Sequence, residues 1–204
     1  MDDFYNRVKA CSACGICKTR RNAVSGEGSL ASTIMVIGLC PCLNDDVIGH
    51  PFSDGYGKWM RKAIRAAGYE RGQVYLTHAV KCYPSEAGKD GHNVGRQPTD
   101  EEILLCQPFL FEQIKTIKPK MIITLGENAF NVFRKLGIQE KRKIASYRGD
   151  RYKFGIGDFE THVVPTLHPQ LVVHASSKLR KVEFVKDFKR THEFLFSGKD
   201  WIPS

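Results

Sequence analysis

No window of the 204-residue chain approaches the ~18 consecutive apolar residues of a membrane helix, which excludes a bilayer-spanning segment. The first residues, MDDFYNRVKA, lack the apolar stretch and small-residue cleavage site of a secretory signal. Internal repeats and low-complexity tracts are missing too, which excludes a repeat array. Acidic residues are in the minority: Asp and Glu total 22 against 31 Lys and Arg, a formal net charge of +9. That imbalance favours a polyanionic partner, because neutralising phosphates releases condensed counterions, although charge alone does not single out nucleic acid. Hydrophobic residues at 42% and charged residues at 26% are ordinary for a globular chain, and the length suits one domain over residues 1–204. A cytoplasmic protein is expected.

Seven cysteines cannot all pair with one another, and three of them crowd into Cys11–Cys17. In a chain without a secretory signal, such clustering points to metal or redox chemistry more than to structural disulfides. Cys11 and Cys14 form a C-x2-C pair of the kind whose backbone wraps one corner of a thiolate cluster. Cys17 extends the series, but Arg21 stands where a bacterial ferredoxin would supply its fourth cysteine, so remote ligands are needed. Cys82, just past the second predicted strand, and Cys106, in the following helix, are the candidates. Zinc bound by four cysteines fits the same count, and Cys17 is interchangeable with Cys14 at this level. Cys17, Cys40 and Cys42 otherwise read as free thiols.

Apolar runs predict four strands: Thr33–Gly38, Val74–Val80, Met121–Leu125 and Thr161–Thr166. Between them, Gly57–Ala67 reads as a helix with Trp59, Met60, Ala63, Ile64 and Ala67 on one face, stopped by Gly68. Tyr83–Pro98 reads as a surface loop. Thr99 sits where an N-cap belongs, followed by Asp100, Glu101 and Glu102, whose charges suit a helix N-terminus. That helix ends at Pro119. Gly126 opens another helix, and Leu179–Leu195 carries the apolar stripe of a last one. Strands alternating with helices predict a mainly parallel sheet covered on both faces, with ligands at the strands' carboxyl ends.

Several segments, taken in order, resemble the family 4 uracil-DNA glycosylases, the type that carries a [4Fe–4S] cluster. CSACGICKTRRNAVSGEG (Cys11–Gly28) resembles the family's paired-cysteine opening and GEG loop. GLCPCLNDDVIGHPF (Gly38–Phe52) has the spacing of its first active-site motif, approximately GEAPGxxEDxxGRPF. THAVKCYPS (Thr77–Ser85) resembles TNVVKCRPP, and PTDEEILLCQPFL (Pro98–Leu110) resembles PTxxEIxxCxPYL. KPKMIITLGENAF (Lys118–Phe130), the Arg148–Gly149 dipeptide and PTLHPQ (Pro165–Gln170) match the later segments. Single motifs are weak; their order and spacing from Cys11 to Val173 are specific.

The resemblance implies an α/β fold, a three-layer α/β/α sandwich with a central, mainly parallel four-stranded sheet. It assigns Cys11, Cys14, Cys82 and Cys106 to the cluster. It implies a monomeric DNA glycosylase acting in base-excision repair on single- or double-stranded DNA, excising uracil or a related deaminated base by hydrolysis of the N-glycosidic bond. His168 would donate a hydrogen bond to the departing base, a contribution worth ~3 kcal/mol at developing charge. Phe52 would stack on the base, with Gly38, Leu39 and His78 beside it. Two departures stand out. Leu39 replaces the motif glutamate and cannot hold a water, while His78 replaces the base-reading asparagine and presents its donor and acceptor on opposite sides of a ring. Losing a general base typically slows a reaction by about 10²–10⁴. Asp45, at the motif's second acidic position, is the substitute candidate, with Asp46 and Asp54 nearby. Leu39 also resembles the GLAPG motif of the family 5 enzymes, and Cys42 stands in place of that motif's last glycine. The rival reading is a DNA-binding iron–sulfur protein of the same fold without catalysis. An electron-transfer role would leave the His-Pro motif and basic charge without a purpose. Basic residues after His168 (Lys178, Arg180, Lys181, Lys186, Lys189, Arg190) are candidates to grip phosphates.

Overall fold

The computed structural model describes residues 2–88, 93–174 and 178–202. The chain opens with α1 (Asp2–Ala10) and a 3₁₀ turn at Gly15–Lys18, then enters β1 (Ile34–Gly38), α2 (Leu43–Ile48), α3 (Gly55–Ala66) and β2 (Val74–His78). A small hairpin of β3 (Ser85–Ala87) and β4 (Asn93–Gly95) precedes α4 (Asp100–Ile117), β5 (Met121–Leu125), α5 (Gly126–Lys135) and the short α6 (Ile144–Tyr147). The remaining elements are β6 (Tyr152–Ile156), β7 (Phe159–Thr166), α7 (Pro169–His174) and α8 (Lys178–Phe196).

Every residue of β1, β2 and β5 is buried, as expected of strands with both faces covered. Side chains alternate between the faces, so Ile34, Val36, Leu76 and Ile123 join one core with Met60 and Ile64 of α3 and Phe184 and Phe188 of α8. Met35, Ile37, Tyr75 and Ile122 point the other way, onto Leu110 and Ile114 of α4 and Phe130 and Phe133 of α5. Helices thus cover both faces of the sheet, the three-layer arrangement expected.

The sheet has five strands in the order β2-β1-β5-β7-β6, one more than expected. Four run parallel, and β6 pairs antiparallel with β7 at the edge. Its sequence, YKFGI, buries only Phe154 and Ile156 and carries an interior glycine, so it gives a weak apolar signal. A two-residue turn with Gly157 in the left-handed region (φ 60°) joins it to β7. The segment expected as a loop over Tyr83–Pro98 contains the β3–β4 hairpin, and its residues 89–92 lie outside the described ones. Thr99 does cap α4, accepting from Glu102 N–H at 3.1 Å while the Glu102 carboxylate accepts from Thr99 N–H at 2.8 Å.

Candidate active site

Gly38 pairs with His78, and Leu125 with Thr166, so the carboxyl ends of β1, β2, β5 and β7 share one edge of the sheet. Ligands of open parallel sheets bind at this edge. Gly38 approaches His78 so closely that a Cβ on it would stand 2.5 Å from His78 Nδ1 and 3.2 Å from Phe52 Cε1. Phe52 holds a left-handed backbone (φ 55°), unusual for an aromatic residue, and its ring lies over His78 with 4.4 Å between centroids. The two candidate base-contacting rings therefore pack against each other, tilted by 43°, beside the end of β1.

His78 Nε2 lies 3.1 Å from Asp45 Oδ2, both side chains being buried. Asp45, in the first turn of α2, also accepts from the backbone N–H of Ser53 at 2.7 Å and of Cys42 at 3.3 Å. Burial opposes its charge, but the hydrogen bonds from His78 and these amides hold the carboxyl below its ordinary value. Burial pushes the His78 imidazole down in turn, so the ring is neutral. A neutral ring has one N–H, and the carboxylate takes it at Nε2. His78 Nδ1 is left with a lone pair, buried and without a hydrogen-bond partner.

His168 follows β7 and packs against Gly126, where an added Cβ would come within 3.0 Å of the histidine Cβ. Gln170 N–H donates to its Nδ1 at 3.3 Å. Burial, and then the proximity of His78, hold this imidazole below its ordinary value, so it is neutral with its proton on Nε2. The preceding Thr166 donates to Asp187 Oδ2 at 2.5 Å, and Arg148, of the Arg-Gly dipeptide, donates to Asp187 Oδ1 at 2.6 Å. Those bonds fasten the end of β7 to α8. Leu39 lies apart from the two rings, lining a cleft with Ile103 and Val132. Asp46 accepts from the backbone N–H of Arg21 and Asn22 at 3.0 and 3.2 Å, and Asp54 caps α3 through Gly57 N–H at 2.7 Å.

At the far side of the β2 exit, Cys11, Cys14, Cys17, Cys82 and Cys106 line one cavity, walled by Val8, Val80 and Phe109. The four cysteines of the sequence reading are together, with Cys17 among them. Burial pushes the Cys82 thiol up to about 12 and raises Cys106 as well. Two donors face these sulfurs: Arg20 Nη1 lies 2.8 Å from Cys82 Sγ, and the Lys81 backbone N–H lies 3.2 Å from Cys106 Sγ. Arg20 also donates to the carbonyls of Lys9 and Cys11 at 2.7 and 2.8 Å, tying α1 to the cavity. Cys40 and Cys42 stand elsewhere, their thiols pushed up by burial to about 12 and about 11. Among the described residues, no three His, Cys, Asp or Glu side chains converge closely enough to hold one metal ion.

Sequence reading missed Arg20 and Lys81. Lys81 is fully buried, its Nζ donating to His78 O at 2.5 Å, Gln113 Oε1 at 2.6 Å and Thr77 Oγ1 at 2.9 Å. A lysine inside the apolar run VYLTHAVKC was the available signal; Arg20, in a basic run, gave none. On α8, Lys178, Arg180, Lys181, Lys186 and Lys189 are exposed, whereas Arg190 is half-buried and donates to Gly149 O at 3.2 Å.

Residues 25–190 match the model of the Uracil DNA glycosylase superfamily. The chain is 35% identical to a type-4 uracil-DNA glycosylase of Saccharolobus solfataricus, covering 97% of this chain and 87% of that protein. It is 34% identical to one of Sulfurisphaera tokodaii, over 98% and 86% respectively. The fold resembles the crystal structure of Pedobacter heparinus SMUG2, with a TM-score of 0.58 at 14% identity, covering 81% of this chain and 76% of that one. Motif order, whole-length identity and sheet topology agree: the chain belongs to the uracil-DNA glycosylase superfamily and groups there with the type-4 proteins.

Proposed function

We propose that this protein is a cytoplasmic, monomeric, single-domain DNA glycosylase that excises uracil, or a related deaminated base, from DNA by hydrolysing the N-glycosidic bond. The observation that carries the reading is the placement of Phe52, His78 and His168 on the carboxyl edge of the sheet in a chain whose relatives are type-4 uracil-DNA glycosylases. The base is extruded from the stack and read in a pocket. As the glycosidic bond breaks, negative charge develops on the departing base. His168, neutral and protonated on Nε2, donates a hydrogen bond to that charge. Phe52 offers its ring for stacking, and the exposed lysines of α8 offer contacts to phosphates of single- or double-stranded DNA. Leu39, turned to the cleft with Ile103 and Val132, supplies no proton acceptor. The rival, a binding protein without catalysis, rests on the Leu39 and His78 departures alone and is the weaker reading.

The cysteine cavity fits a [4Fe–4S] cluster held by Cys11, Cys14, Cys82 and Cys106. Its donor set is entirely sulfur, and Arg20 and the Lys81 amide supply the hydrogen bonds that anionic sulfurs need. Zinc held by four of the same thiolates is the alternative, and metal content with the visible spectrum of the purified protein separates the two. When bound, the cluster would fasten the N-terminal segment to the β2 exit and α4. It supplies no group to the reacting bond.

Oligonucleotides carrying uracil, hypoxanthine or xanthine, single- and double-stranded, test the activity after alkaline cleavage of abasic sites. Strand breaks at uracil are expected. DNA binding with no break at any of these bases would overturn the glycosylase reading.

A further inference from the structure

The His78–Asp45 pair carries more than a substitution of one base contact for another. Asp45 is 2% exposed, and its oxygens are occupied by Ser53 N–H, Cys42 N–H and His78 Nε2. A carboxylate engaged in this way is poorly placed to activate water. His78 is held on its other sides by Phe52 at 4.4 Å and by Gly38 at the end of β1. Its Nδ1 is the atom left over: buried, unpartnered, and beside the residues that frame the base position. Any side chain at residue 38 would collide with that atom.

We infer that Asp45 is a positioning residue that fixes His78 in its Nε2–H tautomer, so that the pocket reads through His78 Nδ1 the ring N–H that deamination creates. The inference rests on the glycosylase reading for the identity of the ligand. Cytosine N3 and adenine N1 are acceptors; in uracil and hypoxanthine the same atoms carry hydrogen. A fixed lone pair therefore attracts uracil and hypoxanthine and meets the lone pair of cytosine or adenine. An amide can turn over and present its donor instead, whereas an imidazole bound at Nε2 cannot. Hypoxanthine presents its N1–H beside a carbonyl as uracil does its N3–H, so His78 accepts from either base by the same contact. Thymine and guanine carry the same N–H, and their rejection falls to other parts of the pocket.

The test has two arms. Nitrogen-15 NMR of protein labelled in histidine reads the tautomer directly, with His78 assigned by its loss in His78→Asn. The wild type should show Nε2 protonated and Nδ1 bare. In Asp45→Asn, keeping the short 2.7 Å bond from Ser53 N–H gives up the longer 3.3 Å bond from Cys42 N–H and turns the new NH₂ toward Nε2, so the proton should move to Nδ1. The second arm measures binding of uracil- and cytosine-containing strands. Asp45→Asn should shrink the preference for uracil about tenfold to a hundredfold, the scale of one buried hydrogen bond. A wild-type ring protonated at Nδ1, or an unchanged preference in a folded Asp45→Asn, would overturn the inference. If Asp45→Asn does not fold, the wild-type tautomer decides. A wild type with the expected tautomer and uracil preference that cleaves no base would sink the glycosylase reading and leave the positioning role supported.

Discussion

The two ends of the Thr77–Cys82 segment follow different rules. At one end five cysteines line a cavity, with Arg20 and the Lys81 amide donating to sulfur, and the cysteine spacing keeps the pattern of the motifs that the sequence resembles. At the other, His78 and Leu39 depart from the asparagine and glutamate of the motifs that the sequence resembles, and His78 is held by Asp45. A soft-metal site tolerates little substitution, because no other side chain replaces a thiolate. A hydrogen-bonding site tolerates a new reading group when a partner such as Asp45 fixes its protonation. Lys81 joins the two: its backbone N–H holds Cys106 Sγ while its Nζ holds the carbonyl of His78.

The sharpest way to break this comparison is to remove one side of it. Cys82→Ala or Cys106→Ala should abolish bound iron and visible absorbance and lower thermal stability, since metal-binding energy in such sites is also folding energy. Cys17→Ala should keep the iron. Iron content and thermal melts check both, and a Cys17→Ala protein without iron beside an iron-loaded Cys14→Ala would move the ligand assignment. His168→Ala acts on the other side. It should slow uracil excision by about 10²–10³, the usual effect of losing one donor to developing charge, with iron and DNA binding retained. Cleavage at the wild-type rate would remove His168 from its assigned role.

The unequal legibility of the two regions has a physical cause. Strands β1, β2 and β5 and helix α4 announce themselves through continuous burial or a cap at Thr99, and the structure has them within a few residues of the expected bounds. β6 escaped because an edge strand with only two of its five residues buried has no such signal. α2 escaped because LNDDVI carries two acids whose burial depends on remote groups: Asp45 on His78, and Asp46 on the backbone of Arg21 and Asn22. The cysteine set could be proposed from spacing and resemblance because all its donors are one residue type. The tautomer of His78 could not, since it depends on a carboxylate 33 positions earlier in the chain.

A smaller effect separates the regions without touching a polar group. Gly38→Ala places a methyl 2.5 Å from His78 Nδ1, so the imidazole or the strand end must shift. Overpacking of this kind costs about 1–3 kcal/mol. Uracil excision should fall more than stability does, and iron content should stay constant. Normal excision by Gly38→Ala would mean that the approach to Nδ1 plays no part in base reading.

The smallest expected effect lies in the pH dependence of stability. His168 is held below its ordinary value of 6.5 by burial and then by His78, so as pH falls through 6.5 the unfolded chain takes up a proton that the folded chain refuses. Stability therefore rises with pH across the interval between the folded value and 6.5, and is flat in this group's contribution above and below it. His78 is shifted in the same direction, and its contribution adds to that of His168. Asp45, lowered instead, stabilises the fold above the ordinary carboxyl value and loses that effect only at more acid pH. His168→Gln should consequently flatten, without abolishing, the loss of thermal stability on acidification below 6.5. Melts of the two proteins across that range, each with its iron content verified, give the comparison. Superimposable slopes would place His168 in solvent-like surroundings and remove the argument that it meets the departing base as a neutral donor.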